Sequence, residues 1–135
     1  MSATFRNTII VGLSPMPLKR ILVIDDEPQV LKLMARILER GGYEVKTATS
    51  GGVVLQAVAT SRPDLLILDL SMPEPDGFEV LKALRQREPT LPILIISGFL
   101  GGSMLRAAEL FGAVATLGKT DVPELLLETV WRIIP

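Results

Sequence analysis

A chain of 135 residues with 48% apolar and 21% charged positions has the size and balance of one globular domain, able to bury a core without staples. Fourteen basic against fifteen acidic residues leave a formal charge of −1, so no electrostatic footprint for nucleic acid is present. Cysteine and histidine are both absent, which excludes disulfides, thiolate chemistry, the common zinc sites and any nucleophile activated by imidazole.

Residues 1–18 read as an N-terminal extension, expected to be loosely ordered, and residues 19–135 as the folded domain. The run Ile9-Ile10-Val11-Gly12-Leu13 is too short for a secretory signal and no small-residue cleavage site follows it; Met16 offers an alternative start. No apolar run reaches the length of a membrane span, and the lack of cysteine fits a cytoplasmic setting. From Ile21 onward short apolar runs alternate with amphipathic segments. Ile21-Leu22-Val23-Ile24 predicts a strand buried on both faces, ending at Asp25-Asp26-Glu27. Pro28 suits a first helical turn, Val30, Met34, Ile37 and Leu38 share one helical face, and Gly41-Gly42 stops the helix. Tyr43 to Ala48 alternates as an edge strand does, and a helix follows from about Gly52 to Thr60.

After Arg62-Pro63 comes a second buried run, Leu65-Leu66-Ile67-Leu68, ending on Asp69. The turn Met72–Gly77 leads into a helix with Phe78, Leu81 and Leu84 on one side. Ile93-Leu94-Ile95-Ile96 is the next strand, stopping at Ser97-Gly98, followed by a helix near Ser103–Phe111 and a short strand Val114–Leu117 ending at Gly118-Lys119. Asp121 and Glu124 have the spacing of a capping box for the last helix, in which Leu126, Val130, Ile133 and Ile134 line one face. Trp131 lies in that helix, where core packing is the simpler reading.

Five strands alternating with five helices predict a doubly wound α/β fold, a five-stranded parallel sheet with helices on both faces. Such sheets bind ligands at the carboxyl ends of their strands. Asp25 and Asp26, Asp69, Ser97 and Lys119 are the first polar residues after four of the apolar runs, so the fold gathers them on that rim. Taken singly, each is an ordinary cap, turn or surface residue; jointly they form a site. Three crowded carboxylates repel one another unless a cation lies among them, and an all-oxygen donor set favours Mg²⁺ or Mn²⁺ over Zn²⁺. With a lysine and a hydroxyl on the same rim, the set suits a phosphoryl group, and one carboxylate can be the nucleophile.

The motifs Ile24-Asp25-Asp26-Glu27, Asp69-Leu70-Ser71-Met72-Pro73-Glu74-Pro75-Asp76-Gly77, Ile96-Ser97-Gly98, Gly112-Ala113 and Leu117-Gly118-Lys119 resemble those of the receiver domains of two-component response regulators. The second matches that family's D-x-x-M-P-x-x-D-G run in full, and the resemblance covers about Lys19 to Ile134. It implies the flavodoxin-like strand order 2-1-3-4-5, and that Asp69 accepts a phosphoryl group from a phosphohistidine on a partner histidine kinase or phosphotransfer protein. Asp26, Asp69 and the Ser71 carbonyl would bind Mg²⁺ directly, and Asp25 through water. Ser97 and Lys119 would hold phosphoryl oxygens. The output would be a changed surface on the last two helices and fifth strand, recognised by a downstream protein, with a homodimer through the same surface left open and neither nucleic acid nor membrane contacted directly.

Two positions depart from the family's pattern: Thr116 stands where an aromatic switch residue is usual, and Thr120 where a proline in a cis peptide is usual. A non-proline cis bond costs about 2.5–4 kcal/mol, so that loop need not be cis here. Three other readings compete with this one. A phosphohydrolase with an aspartate nucleophile usually has a second acid two positions on, where this chain has Ser71. A receiver fold acting only as an interaction domain would have no need of the five rim residues. A flavin protein would place a phosphate-binding loop where Asp25-Asp26-Glu27 would repel it.

Overall fold

The computed structural model describes residues 3–5, 8–10, 17–70, 77–98 and 108–135. Strands β1 (Ala3–Phe5) and β2 (Thr8–Ile10) pair antiparallel as a small two-stranded sheet. The remaining strands, β3 (Arg20–Ile24), β4 (Glu44–Ala48), β5 (Leu65–Asp69), β6 (Ile93–Ser97) and β7 (Ala115–Gly118), form one parallel sheet in the order β4-β3-β5-β6-β7. Counted by themselves these five strands have the order 2-1-3-4-5, as the family resemblance implies.

Continuous apolar runs make the central strands because both sheet faces are covered. Side chains alternate across a strand, so each run feeds two cores. On one face Ile21, Val23, Leu65, Ile67, Leu94 and Ile96 pack against Leu31, Met34 and Leu38 of α1 (Pro28–Arg40) and Val122, Leu126 and Val130 of α4 (Val122–Ile133). On the other, Leu22, Ile24, Leu66, Leu68, Ile93 and Ile95 meet Val54 and Val58 of α2 (Val54–Ser61) and Val80, Leu81 and Leu84 of α3 (Gly77–Arg87). Residues 108–110 are also helical, with Ala108 buried in this second core. Phe111 already lies in the turn that follows, and residues 103–107 of the helix expected near Ser103–Phe111 lie outside the described residues.

Helix α1 ends as its glycines predict. Gly42 has φ +95°, its N–H donates to the Glu39 carbonyl and that of Tyr43 to the Leu38 carbonyl, the paired bonds of a Schellman motif. Gly41 has a second reason to lack a side chain, because a Cβ there would overlap Leu127 of α4. The two helices touch at this point.

Two details differ from the sequence-based expectation. Asp121 makes no capping bond, because a 3₁₀ turn over Lys119–Asp121 precedes α4 and gives Asp121 helical backbone angles, φ −94° and ψ −3°. A capping side chain works from an extended backbone, so the capping box does not form. Trp131 is 53% exposed, since the buried stripe of α4 runs through Val122, Leu126 and Val130 and leaves position 131 off it.

One contact ties the far end of the sheet together. The Arg85 guanidinium, half-buried on α3, donates to the carbonyls of Phe111 (2.7 Å), Glu88 (3.1 Å), Leu91 (2.6 Å) and Gly112 (2.8 Å). Burial lowers its pKa from the usual arginine value. These carbonyls lie just ahead of β6 and β7, so one side chain on α3 fixes where both strands begin.

Candidate functional site

Parallel pairing in register brings the carboxyl ends of the strands level: Ile24 pairs with Leu68, Asp69 with Ile96, and Ser97 with Gly118. Each strand therefore delivers its next polar residue to one rim. Asp25 follows β3, Asp69 ends β5, Ser97 ends β6, and Lys119 follows β7. Asp25, Asp69 and Ser97 are the three buried polar or charged residues among those described.

Lys119 is the centre of the arrangement. Its Nζ lies 3.0 Å from Asp69 Oδ2, 3.5 Å from Asp25 Oδ2 and 2.6 Å from Glu27 Oε1, with 17% of the side chain exposed. Burial alone would lower the pKa of this ammonium. Hydrogen bonds to Glu27 and Asp69 and the charges of Asp69 and Asp25 outweigh it, holding the pKa well above the ordinary lysine value.

Asp25 is held from the backbone side. Its N–H donates to the Ala48 carbonyl at 3.2 Å, extending the sheet by one bond, and its Oδ1 accepts the Glu27 N–H at 2.9 Å. That leaves Oδ2, a buried carboxylate oxygen accepting no hydrogen bond, facing Lys119. Desolvation by burial raises the Asp25 pKa most strongly; the Glu27 N–H opposes it, Asp69 adds to it and Lys119 opposes it, and the result is about 6.

Asp26 is exposed, and carboxylate oxygens of Asp25, Asp26 and Glu27 lie within 4.8 Å of one another. Hard oxygen donors at that spacing, beside a buried oxygen with no hydrogen bond, fit a hard divalent cation. Asp69 is not part of that trio among the described residues; its carboxylate meets the group through Lys119. Of the residues expected from sequence, Asp25 and Asp69 both contact Lys119, and Ser97 is buried on the neighbouring strand end. Asp26 flanks them on the solvent side, and Ser71 lies outside the described residues. Glu27 carries no role in the sequence-based reading, yet it makes the shortest contact to Lys119. Its position directly after the aspartate pair was the available signal.

Buried aspartates around a lysine at one edge of a 2-1-3-4-5 parallel sheet place the chain among α/β domains with an acidic site at the strand ends. Residues 21–130 match the family described as the response regulator receiver domain, and the chain belongs to that family. It is similar to the alkaline phosphatase synthesis transcriptional regulatory protein PhoP of Bacillus subtilis, 46% identical over 79 residues, 58% of this chain and 33% of the relative. It is also similar to the transcriptional activator protein ExaE of Pseudomonas putida, 36% identical over 116 residues, 84% of this chain and 54% of the relative. The chain thus spans between a third and about half the length of these curated relatives. Among solved structures, Vibrio cholerae chemotaxis protein CheY4 superimposes with a TM-score of 0.82 at 31% identity, covering 87% of this chain and 100% of that one. A CheY-like receiver domain protein from Methanospirillum hungatei gives 0.79 at 27% identity, covering 87% and 94%.

Proposed function

We propose that this domain is a phosphorylation switch in which Asp69 is the acceptor. The observation that carries the reading is the buried Asp69 carboxylate held 3.0 Å from Lys119 on a rim that also buries Asp25 and Ser97. In the step, an Asp69 carboxylate oxygen attacks the phosphorus of a phosphohistidine on a partner histidine kinase or phosphotransfer protein. An O–P bond forms, the P–N bond breaks, and the imidazole nitrogen leaves with the electron pair. Lys119 supplies a fixed positive charge to the equatorial oxygens, where positioning and charge compensation supply most of the catalysis. Ser97 offers its hydroxyl to a phosphoryl oxygen. Mg²⁺, or Mn²⁺, held by Asp26, Asp69 and the Ser71 carbonyl, with Asp25 acting through water, would neutralise charge on the transferring group.

Phosphorylation shifts the protein between states only as far as the phosphoryl group interacts differently with them. The strand end carrying Ser97 and the turn carrying Lys119 are the parts that meet it, so the readout surface is β7, α4 and the helix that ends at residue 110, open to a downstream protein or a second copy. Thr116 is half-buried in β7, so the readout here works without an aromatic side chain at that position. A cytoplasmic setting follows from the partner chemistry; among the described residues no helix is long and apolar enough to cross a membrane. The curated relatives are named as transcriptional regulators, while the formal charge of −1 on this chain argues against DNA contact by the domain itself.

The test is incubation with a small-molecule phosphodonor and Mg²⁺. Intact mass spectrometry is expected to show one added phosphoryl group, mapped to Asp69 and absent from Asp69→Ala. A protein that instead releases phosphate from a monoester over many turnovers would be a phosphohydrolase.

A further inference from the structure

The geometry points to Glu27 as a latch on Lys119, a positioning residue that holds the ammonium in the unphosphorylated state and competes with the phosphoryl oxygen for it. This inference rests on the phosphoryl-transfer reading of the site. Of the three carboxylates around Nζ, Glu27 makes the shortest contact, 2.6 Å against 3.0 Å for Asp69 and 3.5 Å for Asp25. It is also the one that can leave. Asp25 and Asp69 are buried, whereas the Glu27 side chain is 58% exposed and can exchange its partner for water.

The local backbone argues that this contact is not incidental to helix formation. Glu27 occupies the N-cap of α1, with an extended backbone (φ −97°, ψ 107°) and its carbonyl accepting the Leu31 N–H at 3.1 Å. An N-cap side chain ordinarily turns back to a free N–H of the first turn. Glu27 makes no such bond and reaches to Lys119 from across the sheet order instead. Its backbone N–H is meanwhile fixed on Asp25 Oδ1 at 2.9 Å, so the base of the latch is rigid and its tip is not. An ammonium has three N–H donors in total. A phosphoryl group arriving on Asp69 needs at least one of them, and Glu27 already occupies one. The ammonium is therefore kept engaged while the site is idle, at the expense of speed when a phosphodonor arrives.

The test uses the full chain, saturating Mg²⁺ and a small-molecule phosphodonor, with the rate of adduct formation on Asp69 read by intact mass. Saturating metal is needed because the Glu27 carboxylate lies among those of Asp25 and Asp26. Glu27→Gln is expected to speed phosphorylation by about two- to fivefold, the range an exposed ion pair spans. Glu27→Asp keeps the charge but is one methylene too short to hold the contact, and is expected to be faster to a similar degree. Aspartate is also a favoured N-cap, so this variant does not weaken α1. If Glu27→Gln is faster while Glu27→Asp keeps the unsubstituted rate, overall charge rather than the latch sets the speed and the proposal is overturned. Unchanged or slower rates in both variants overturn it as well, with the phosphoryl-transfer reading intact. No adduct on the unsubstituted protein overturns both.

Discussion

Lys119 and Arg85 are two partly buried cations at opposite ends of one sheet, and their partners differ in kind. Lys119, just past the end of β7, faces three carboxylates and so stands in excess negative charge. Arg85, beneath the starts of β6 and β7, faces four neutral carbonyls through a planar fork. The first arrangement can exchange partners, because an ammonium is a point charge and one of its carboxylates is on the surface. The second cannot exchange without leaving backbone acceptors unmet. The same strands are thus pinned at one end and adjustable at the other. Motion that begins at the rim of β6 and β7 is referred to a fixed base.

The comparison breaks most visibly at Lys119. Lys119→Met should slow phosphorylation of Asp69 by about 10²–10³-fold, the usual cost of removing a charge-stabilising donor, as measured by the rate of adduct formation at saturating Mg²⁺. At the other end Arg85→Lys should cost about 2 kcal/mol of unfolding free energy in urea, because a single ammonium cannot span four carbonyls. Its phosphorylation rate, measured where the protein is folded, should stay within about twofold of the unsubstituted value, since its partners lie at the sheet's far end. If that variant also loses phosphorylation, the two ends are not separable and the contrast fails.

A smaller effect sharpens the contrast through pH. The Asp25 pKa is raised to about 6 in the folded, metal-free chain, above its value of 3.8 when unperturbed. A raised carboxyl pKa favours the folded state where the group is protonated, so its stabilisation is present at low pH and is lost as pH rises through about 6. With chelator present, unfolding free energy should fall by about 1 kcal/mol between pH 5 and pH 7. Lys119 contributes no slope there, because its pKa is displaced upward from a value already far above that window. The chain has no histidine to obscure the effect. Saturating Mg²⁺ should remove or reverse the slope, as metal binding favours the ionised carboxylate. A flat profile in chelator would show that Lys119 already compensates Asp25 fully.

The sheet and its rim were legible because they depend on local pattern. Each central strand is an unbroken apolar run, and each rim residue is the first polar position after one. The parallel, doubly wound sheet followed from alternation with helices, and its strand order from the family resemblance. What the pattern could not supply were contacts between side chains and distant partners. Arg85 serves backbone carbonyls at positions 88, 91, 111 and 112, which any residue type presents, so no motif marks it. Glu27 looks like a poor helix cap in one dimension, and only the return of Lys119 in three explains where its side chain goes. The Asp121 spacing suggested a capping box, but the 3₁₀ turn that swings Lys119 inward uses up the extended backbone such a box requires. There, placing the lysine took precedence over capping the helix.

The exposed Trp131 has a practical consequence. It is the sole indole in the chain, and it sits on α4, the helix that starts three residues after Lys119 and abuts α1 at Gly41. Fluorescence excited on the long-wavelength edge therefore comes from one known address, with no dye and no added mutation. A displacement of the C-terminal helix could be followed in stopped flow through its quenching, on the native polypeptide and in real time.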